Sequence, residues 1–326
     1  MVYAAGPKGS PLHGGVRVIS FPLGFSTDRA QRRRSLERRL SPAAMKRVSR
    51  KPELMSLKAK KRVMTFLVCR IRRFAEIADA FAEDPEGLTR LTRRAMTPLV
   101  QTVLDRGGAL DRLMPGGLSA FFNAPLDDPQ HAIHACQCAL AMIQAVEKVS
   151  RTLENILRPD GTPLGPIGIG IGINTGEAVI GDFGSDGRTA YSVAGNAAAF
   201  SRKLEKLSAH YGTAILVGGA TQNAAEKYFT FLEVDMLSQP KEDPIALFAL
   251  LGSPVSRANP KFLALKTFHE RIFNAYRARE WDIARTLIGQ ARALSNANPA
   301  IYDLYIKRIA YYEKHPPGPN WNGVFA

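Results

Sequence analysis

Two groups of residues in this 326-residue chain have types and spacing that could do chemistry. His131, His134 and Cys138 recur at i, i+3 and i+7, which would line two imidazoles and a thiol along one helical face, as a metal site requires. A closed zinc site needs a fourth ligand, and none lies at a suitable spacing, so the row also reads as one side of an amphipathic helix. Gly168-x-Gly170-x-Gly172 has the outline of a phosphate loop. Such a loop must connect a strand to the start of a helix, whereas these glycines alternate with isoleucines inside a strand-like run. The alternation instead predicts that other backbone approaches the glycine face closely. No G-x-S-x-G, Walker, H-E-x-x-H or C-x-x-C pattern occurs. Cys69, Cys136 and Cys138 are odd in number, which points to free thiols in a reducing compartment.

The elements that must position these groups follow from periodicity and punctuation. Residues 1–27 are rich in Gly, Pro and Ser and are expected to be poorly ordered, with a short extended piece over Val16–Leu23. Leu36, Leu40, Ala43/Ala44 and Val48 recur at helical spacing and predict a helix over Thr27–Arg50 that Pro52 ends. Val63–Cys69 reads as a buried strand. Helices are expected over Ile71–Ala82 and Pro85–Asp105, then strands at Ala109–Met114 and Leu118–Asn123 around Pro115-Gly116-Gly117. A long helix starts at Asp127/Asp128-Pro129. Strands near 167–174 and 177–182 are joined by a turn at Asn174-Thr175-Gly176, and a strand near 188–193 leads into a helix over 195–210. Further strands lie at Ala214–Val217, 228–235 and 245–251. Strands mixed with helices and hairpins indicate an α+β domain with a mixed sheet. After Pro260 the pattern is helical over Phe268–Arg277, Trp281–Ser295 and Pro299–Lys314. Two of these resemble one tetratricopeptide-type pair, which cannot bury its own face and should dock on the preceding domain. The stretch from His315 onward is expected along the surface.

Composition is ordinary for a globular protein, with 45% apolar and 22% charged residues. No run of about 18 apolar residues predicts a membrane span, and the N-terminus has no signal-peptide core. The net charge of +15 is concentrated, since residues 1–62 hold 16 Lys and Arg against Asp28, Glu37 and Glu53. Such a segment is either a solvated, partly helical connector or a contact for an anionic membrane or acidic partner through Arg32, Arg33, Arg34, Lys60 and Lys61.

Five stretches, in order, resemble class III adenylate/guanylate cyclase domains of the bacterial, sensor-linked type. They are Leu40-Ser-Pro-Ala-Ala, Met64 to Phe74, Gly107 to Leu126, Ile167 to Glu205, and Tyr211 to Val217. The resemblance implies a ferredoxin-like βαββαβ core, a mixed sheet flanked by helices, and a C-terminal helical extension. It divides the chain into a basic segment (1–62), a cyclase-like domain (63–252) and an extension (253–326). The sensor and membrane spans that precede such domains are expected to be missing, because only 62 residues precede the first strand. It also implies a cytoplasmic signalling protein, peripheral at a membrane if the basic segment attaches there, that works as a homodimer or a heterodimer with a related cyclase.

In this family the active sites lie between two chains. One chain gives two aspartates for two Mg²⁺ or Mn²⁺ ions. The other gives a base-selecting pair, an asparagine and an arginine. Carried over position by position, the metal aspartates fall on Arg70 and Gly116, the base-selecting pair on Arg112 and Ser192, the asparagine on Ala199 and the arginine on Lys203. A divalent cation needs hard oxygen ligands, and Arg70 would repel it. No aspartate lies within three residues of Arg70 or Gly116, and Asp111, five residues before Gly116, is too far away to serve in that turn. The resemblance thus implies a pseudocyclase without metal cofactors. The alternatives are an active adenylate cyclase with unconventional residues, and a module that binds a nucleotide or anion at Arg70, Arg112, Ser192 and Lys203 without turning it over.

Overall fold

The structure is a computed structural model and describes residues 24–153, 157–186, 188–239, 242–253, 255, 259–294 and 298–325. The extended piece expected at Val16–Leu23 lies outside them, as does most of the 1–27 stretch. Three helices open the described chain: α1 (Gly24–Glu37), α2 (Pro42–Ser49) and α3 (Pro52–Met55). The long helix expected over Thr27–Arg50 is therefore divided at Ser41-Pro42. The Ser41 hydroxyl accepts from the Ala44 N–H at 3.2 Å and Pro42 takes the first helical position, where its missing donor costs nothing. Pro52 starts α3 for the same reason, rather than only ending a helix.

The sheet has the strand order β2-β3-β1-β4-β6-β8-β7. Its elements are β1 (Lys60–Ile71), β2 (Ala109–Met114), β3 (Gly117–Phe122), β4 (Ile169–Asp182), β5 (Tyr191–Ala194), β6 (Ile215–Gly218), β7 (Thr230–Gln239) and β8 (Glu242–Gly252), with β5 paired to the end of β4. The connecting helices are α4 (Phe74–Ala80), α5 (Pro85–Asp105), α6 (His131–Leu153), α7 (Asn196–His210) and α8 (Gly219–Ala225). The first four strands form the ferredoxin-like βαββαβ core. All neighbours are antiparallel except β4 and β6, which α7 joins by a crossover. Ile71 belongs to β1 rather than to a following helix.

β4 corrects the strand–turn–strand expectation. Asn174, Thr175 and Gly176 pair in register with Phe66, Thr65 and Met64, so the strand runs through them without a turn. Asn174 spends its polar side chain on the Ala197 carbonyl, donating at 3.2 Å, instead of on its own backbone. With the period of two unbroken, Ile169, Ile171 and Ile173 face one side of the sheet and Gly170, Gly172 and Asn174 the other. The isoleucine side is covered by α5 and α6, whose Leu99, Val103, Ala135, Ala139 and Met142 are buried against Leu67, Cys69 and Leu118. On the glycine side, α1 and α2 bring Leu36, Leu40, Met45 and Val48 onto Met64, Phe66, Phe121 and Ile180. The basic segment is thus docked along its apolar stripe. Among the described residues, no helix is long and apolar enough to cross a membrane.

The chain ends in α9 (Pro260–Arg277), α10 (Trp281–Arg292) and α11 (Pro299–Lys314), which dock on the domain through a second apolar core shared with β6, β7, β8 and α7. Its polar centre is Asp235. Arg308 donates to both carboxylate oxygens, at 2.9 and 2.6 Å, and Tyr211 donates to Oδ2 at 2.6 Å. The side chains of Asp235 and Arg308 are 2% and 8% exposed. From His315 to Asn320 the chain runs largely exposed along the surface, as expected, before turning inward. Trp321 fits among Tyr276, Trp281 and Tyr312, and its indole N–H donates to the Val324 carbonyl at 2.7 Å.

Two predictions follow from this seam. Removing one partner of a fully buried ion pair strands the other charge, so Asp235→Ala should cost about 3–5 kcal/mol. Asp235→Leu with Arg308→Leu should cost much less, and a urea titration in which the double variant is no better than the single would refute the pairing. His269 is also buried here, with Nε2 against the Glu233 carbonyl and Nδ1 3.5 Å from the Tyr302 hydroxyl. Burial, only partly opposed by the Glu233 hydrogen bond, lowers its pKa from 6.5 to about 4. As pH falls below about 6.5 the unfolded chain takes up the proton first, so stability present at neutral pH is lost down to about pH 4. The loss amounts to about 3 kcal/mol. His269→Phe should remove that acid-dependent component, and denaturation midpoints of the two proteins that fall in parallel from pH 7 to 4 would contradict it.

Candidate functional site on the glycine face

The second face of the sheet owes its shape to bare backbone. A Cβ at Gly172 would lie 2.2 Å from the Ser201 carbonyl oxygen and 2.3 Å from the Glu205 nitrogen, so α7 rests directly on β4. This contact sets which residues of α7 point inward. Ala198, Ser201, Leu204, Glu205 and Ser208 are buried, and Ala199, Arg202, Lys203 and Lys206 are exposed. Ala199 and Lys203 therefore sit one helical turn apart on an outward face, and neither has a described side-chain partner. Arg202 shares the exposed side.

Arg70 and Gly116 come together at one edge of this face. Arg70 pairs with Gly117 and Gly170 in the flanking strands, and Gly116 accepts from the Ile71 N–H at 2.8 Å. The Arg70 guanidinium lies 3.9 Å from Glu205 Oε2. Arg72 reaches the same region and donates to Ser208 Oγ and the Thr213 carbonyl, both at 2.8 Å. Burial raises the Glu205 carboxyl above the usual carboxylate range, and Arg70 and Arg72 pull it part of the way back. Gly116 has φ +66°, and a Cβ there would fall 2.3 Å from the ring of Phe74. The turn is closed to a side chain unless Phe74 moves. These two positions do not fit a divalent cation. One holds a guanidinium, the other has no side chain, and the nearby carboxylate is buried and engaged by arginines.

Arg112 lies two register steps along the sheet from the Arg70 row and comes together with Ser192 around a further residue, Asp111. A β-bulge between Leu110 and Arg112 places Asp111 and Arg112 together opposite Ser119. Asp111, only 9% exposed, accepts from Ser192 at 2.6 Å and from Ser119 at 3.1 Å. The partner of Ser192 is therefore Asp111. Arg112 is 74% exposed, with its Nε 3.9 Å from the Asp111 carboxylate. Spacing from Gly116 was the wrong criterion for Asp111, because the bulge turns it toward β5 rather than toward the β2–β3 turn. The α1–α2 connection closes over this cluster: Leu110 donates to the Arg39 carbonyl at 2.9 Å, and Tyr191 N–H donates to Ser35 Oγ at 3.3 Å. Arg39 is half-buried, donates to Ser35, and has its Nε buried without a partner. Burial lowers its pKa and Asp111 opposes that shift.

The His131, His134 and Cys138 row does not converge. His131 Nδ1 is 2.7 Å from Thr65 Oγ1, His134 Nδ1 is 2.8 Å from Asp128, and Cys138 is buried beside Met142. Burial pushes the Cys138 thiol up to about 12 and the Cys69 and Cys136 thiols higher still. None of them is a ready thiolate nucleophile.

A mixed sheet with this order, covered by helices, is the fold of a nucleotide cyclase catalytic domain. Comparison with solved structures bears this out. The guanylyl cyclase Cya2 superposes with a TM-score of 0.52 at 27% identity, over 60% of this chain and 94% of that one. The adenylyl cyclase CyaB from P. aeruginosa gives 0.53 at 22% identity, over 60% and 97%. Among curated relatives, adenylate cyclase 1 of Rhizobium meliloti (strain 1021) is 30% identical over 136 residues, 42% of this chain and 20% of the relative. The adenylate cyclase of Anabaena cylindrica is 30% identical over 159 residues, 49% of this chain and 30% of the relative. The chain thus spans less than a third of the length of these two relatives. No family model matches it. In sequence and in fold the chain is thus similar to class III adenylate/guanylate cyclase catalytic domains.

Gly172→Ala forces backbone apart from backbone, so it should destabilise at or above the upper end of the roughly 1–3 kcal/mol range for overpacking. Ser192→Ala leaves a buried Asp111 oxygen short of a donor and should cost about 1–3 kcal/mol. Chemical denaturation measures both, and a Gly172→Ala protein as stable as the parent would contradict the contact of α7 with β4.

Proposed function

We propose that this chain keeps the cyclase scaffold without the cyclase reaction, and acts in cytoplasmic nucleotide signalling as a dimerising, regulatory member of the family. The reading rests on Gly116, the position to which the family resemblance assigns a metal carboxylate, where φ is +66° and a Cβ would fall 2.3 Å from the Phe74 ring. Cyclisation is an in-line phosphoryl transfer in which metal ions activate the attacking hydroxyl and hold the triphosphate. Arg70, paired with Glu205, offers a positive charge where that chemistry needs a cation ligand. On the other half, Ala199 has no polar group for the substrate, and Lys203 lacks the forked donors of an arginine. Both contributions are altered, so neither a second copy nor an intact relative would complete a site with this chain. Pairing with an active relative is then inhibitory or structural.

A second reading, a nucleotide- or anion-binding module, is favoured by the exposure of Arg112 and Lys203 and by the part-exposed Arg70. Calorimetric titration with a non-cyclisable ATP analogue without metal tests it, and absence of heat at millimolar analogue removes it.

The purified chain, assayed with ATP and with GTP in Mg²⁺ or Mn²⁺, should form no cyclic nucleotide above background. Arg70→Asp with Gly116→Asp should remain inactive, because the second carboxylate is opposed by Phe74 and Ala199 and Lys203 are unchanged. Cyclic nucleotide from the parent chain that disappears in Arg70→Ala/Lys203→Ala would overturn the proposal in favour of an unconventional active cyclase.

A further inference from the structure

We infer that the outward face of the α1–α2 pair is a docking surface for an anionic phospholipid bilayer, with the groove between the two helices taking a lipid headgroup. Leu36, Leu40, Met45 and Val48 are no more than 7% exposed, because they seat the pair on the sheet. A helix with its apolar stripe turned inward presents its remaining positions to solvent. Here those positions include Arg33, Arg34 and Arg38 from α1 and the turn after it, and Lys46, Arg47 and Arg50 from α2, all exposed. Between residues 29 and 62 there are 14 Lys and Arg and only Glu37 and Glu53 to oppose them. Glu37 is held by Arg33 at 2.7 Å. Among the described residues, Arg34, Arg38, Lys46 and Arg50 form no ion pair, so their charge is directed outward.

The groove distinguishes a lipid from other polyanions. It has a volume of about 610 Å³ and is lined by Leu40, Pro42 and Met45 together with Lys46, Arg50 and the Arg33–Glu37 pair. Lys46 and Arg50, which have no ion-pair partner among the described residues, give a lipid phosphate two cations beside the half-neutralised Arg33. A single-stranded nucleic acid would gain from aromatic stacking, and residues 29–62 include no Phe, Tyr or Trp. A polybasic surface of this kind binds through the negative potential of the leaflet and weakens as salt shortens the screening length.

The test is flotation of the full chain with phosphatidylcholine vesicles, with and without phosphatidylserine, over a salt series. The expected result is binding only to the phosphatidylserine vesicles, declining with salt. Arg34→Glu/Arg38→Glu/Lys46→Glu/Arg50→Glu should lower the partition coefficient at least about 100-fold. Replacing Arg33, Arg34, Arg38 and Arg50 by Lys should leave it within a few-fold, and thermal unfolding checks that each variant is folded. Ser49→Glu places a carboxylate in the groove, whereas Ala43→Glu makes the same change on another side of α2. The first should weaken binding more, and equal losses would remove the headgroup assignment. No binding to phosphatidylserine vesicles at low salt overturns the proposal. So does stronger retention on a random-sequence DNA duplex that depends on the same four cations.

Discussion

Everything on the working face of this molecule depends on how closely α7 lies on β4. At Gly172 the helix backbone sits where a side chain would begin. The distance fixes the rotation of α7 about its axis, and the rotation decides that Glu205 turns in toward Arg70 while Ala199 and Lys203 turn out. The crossover from β4 through α7 to β6 then places Tyr211, at the end of the helix, within reach of Asp235 on β7. A single run of alternating isoleucine and glycine thereby fills the core on one side and sets the geometry of the site on the other.

The two polar clusters of that face are satisfied from within the chain. Asp111 takes its donors from Ser192 and Ser119, and Glu205 is offset by Arg70 and Arg72. Buried polar groups held by protein partners are pre-empted, because a ligand must replace those contacts before it gains any of its own. Exposed cations surround these buried groups, with Arg70 on β1, Arg112 on β2, Lys203 on α7 and others on the outer side of α1 and α2.

Much of this architecture could be read from the sequence. The β2–β3 hairpin, the glycine contact and the docking of the C-terminal helices each follow from local signals: a Pro-Gly-Gly turn, a period of two, and an apolar face with nothing of its own to cover it. Three features could not be read so directly. Asn174-Thr175-Gly176 has the composition of a turn, yet strands on both sides supply its backbone partners, and pairing overrides propensity. The bulge at Leu110–Arg112 adds one residue to β2 and has no compositional mark, so the role of Asp111 was invisible to spacing. Leu36, Leu40 and Val48 mark a helix by their spacing, yet nothing local to that segment says that its apolar stripe seats on the sheet. The site positions themselves came from the family pattern, since Arg70, Gly116 and Ala199 announce no chemistry on their own.

The ion pair between Asp235 and Arg308 joins a strand of the cyclase fold to the last helix of the extension. The similarity to solved cyclase domains covers about three-fifths of the chain. The unit that folds is larger than the unit that is shared. A fragment cut at the end of β8 would keep every strand of the recognisable fold, yet expose an aspartate and an apolar wall that had been interior. In modular terms, the extension is not an appendage, because its helices share one buried apolar core with β6, β7 and β8.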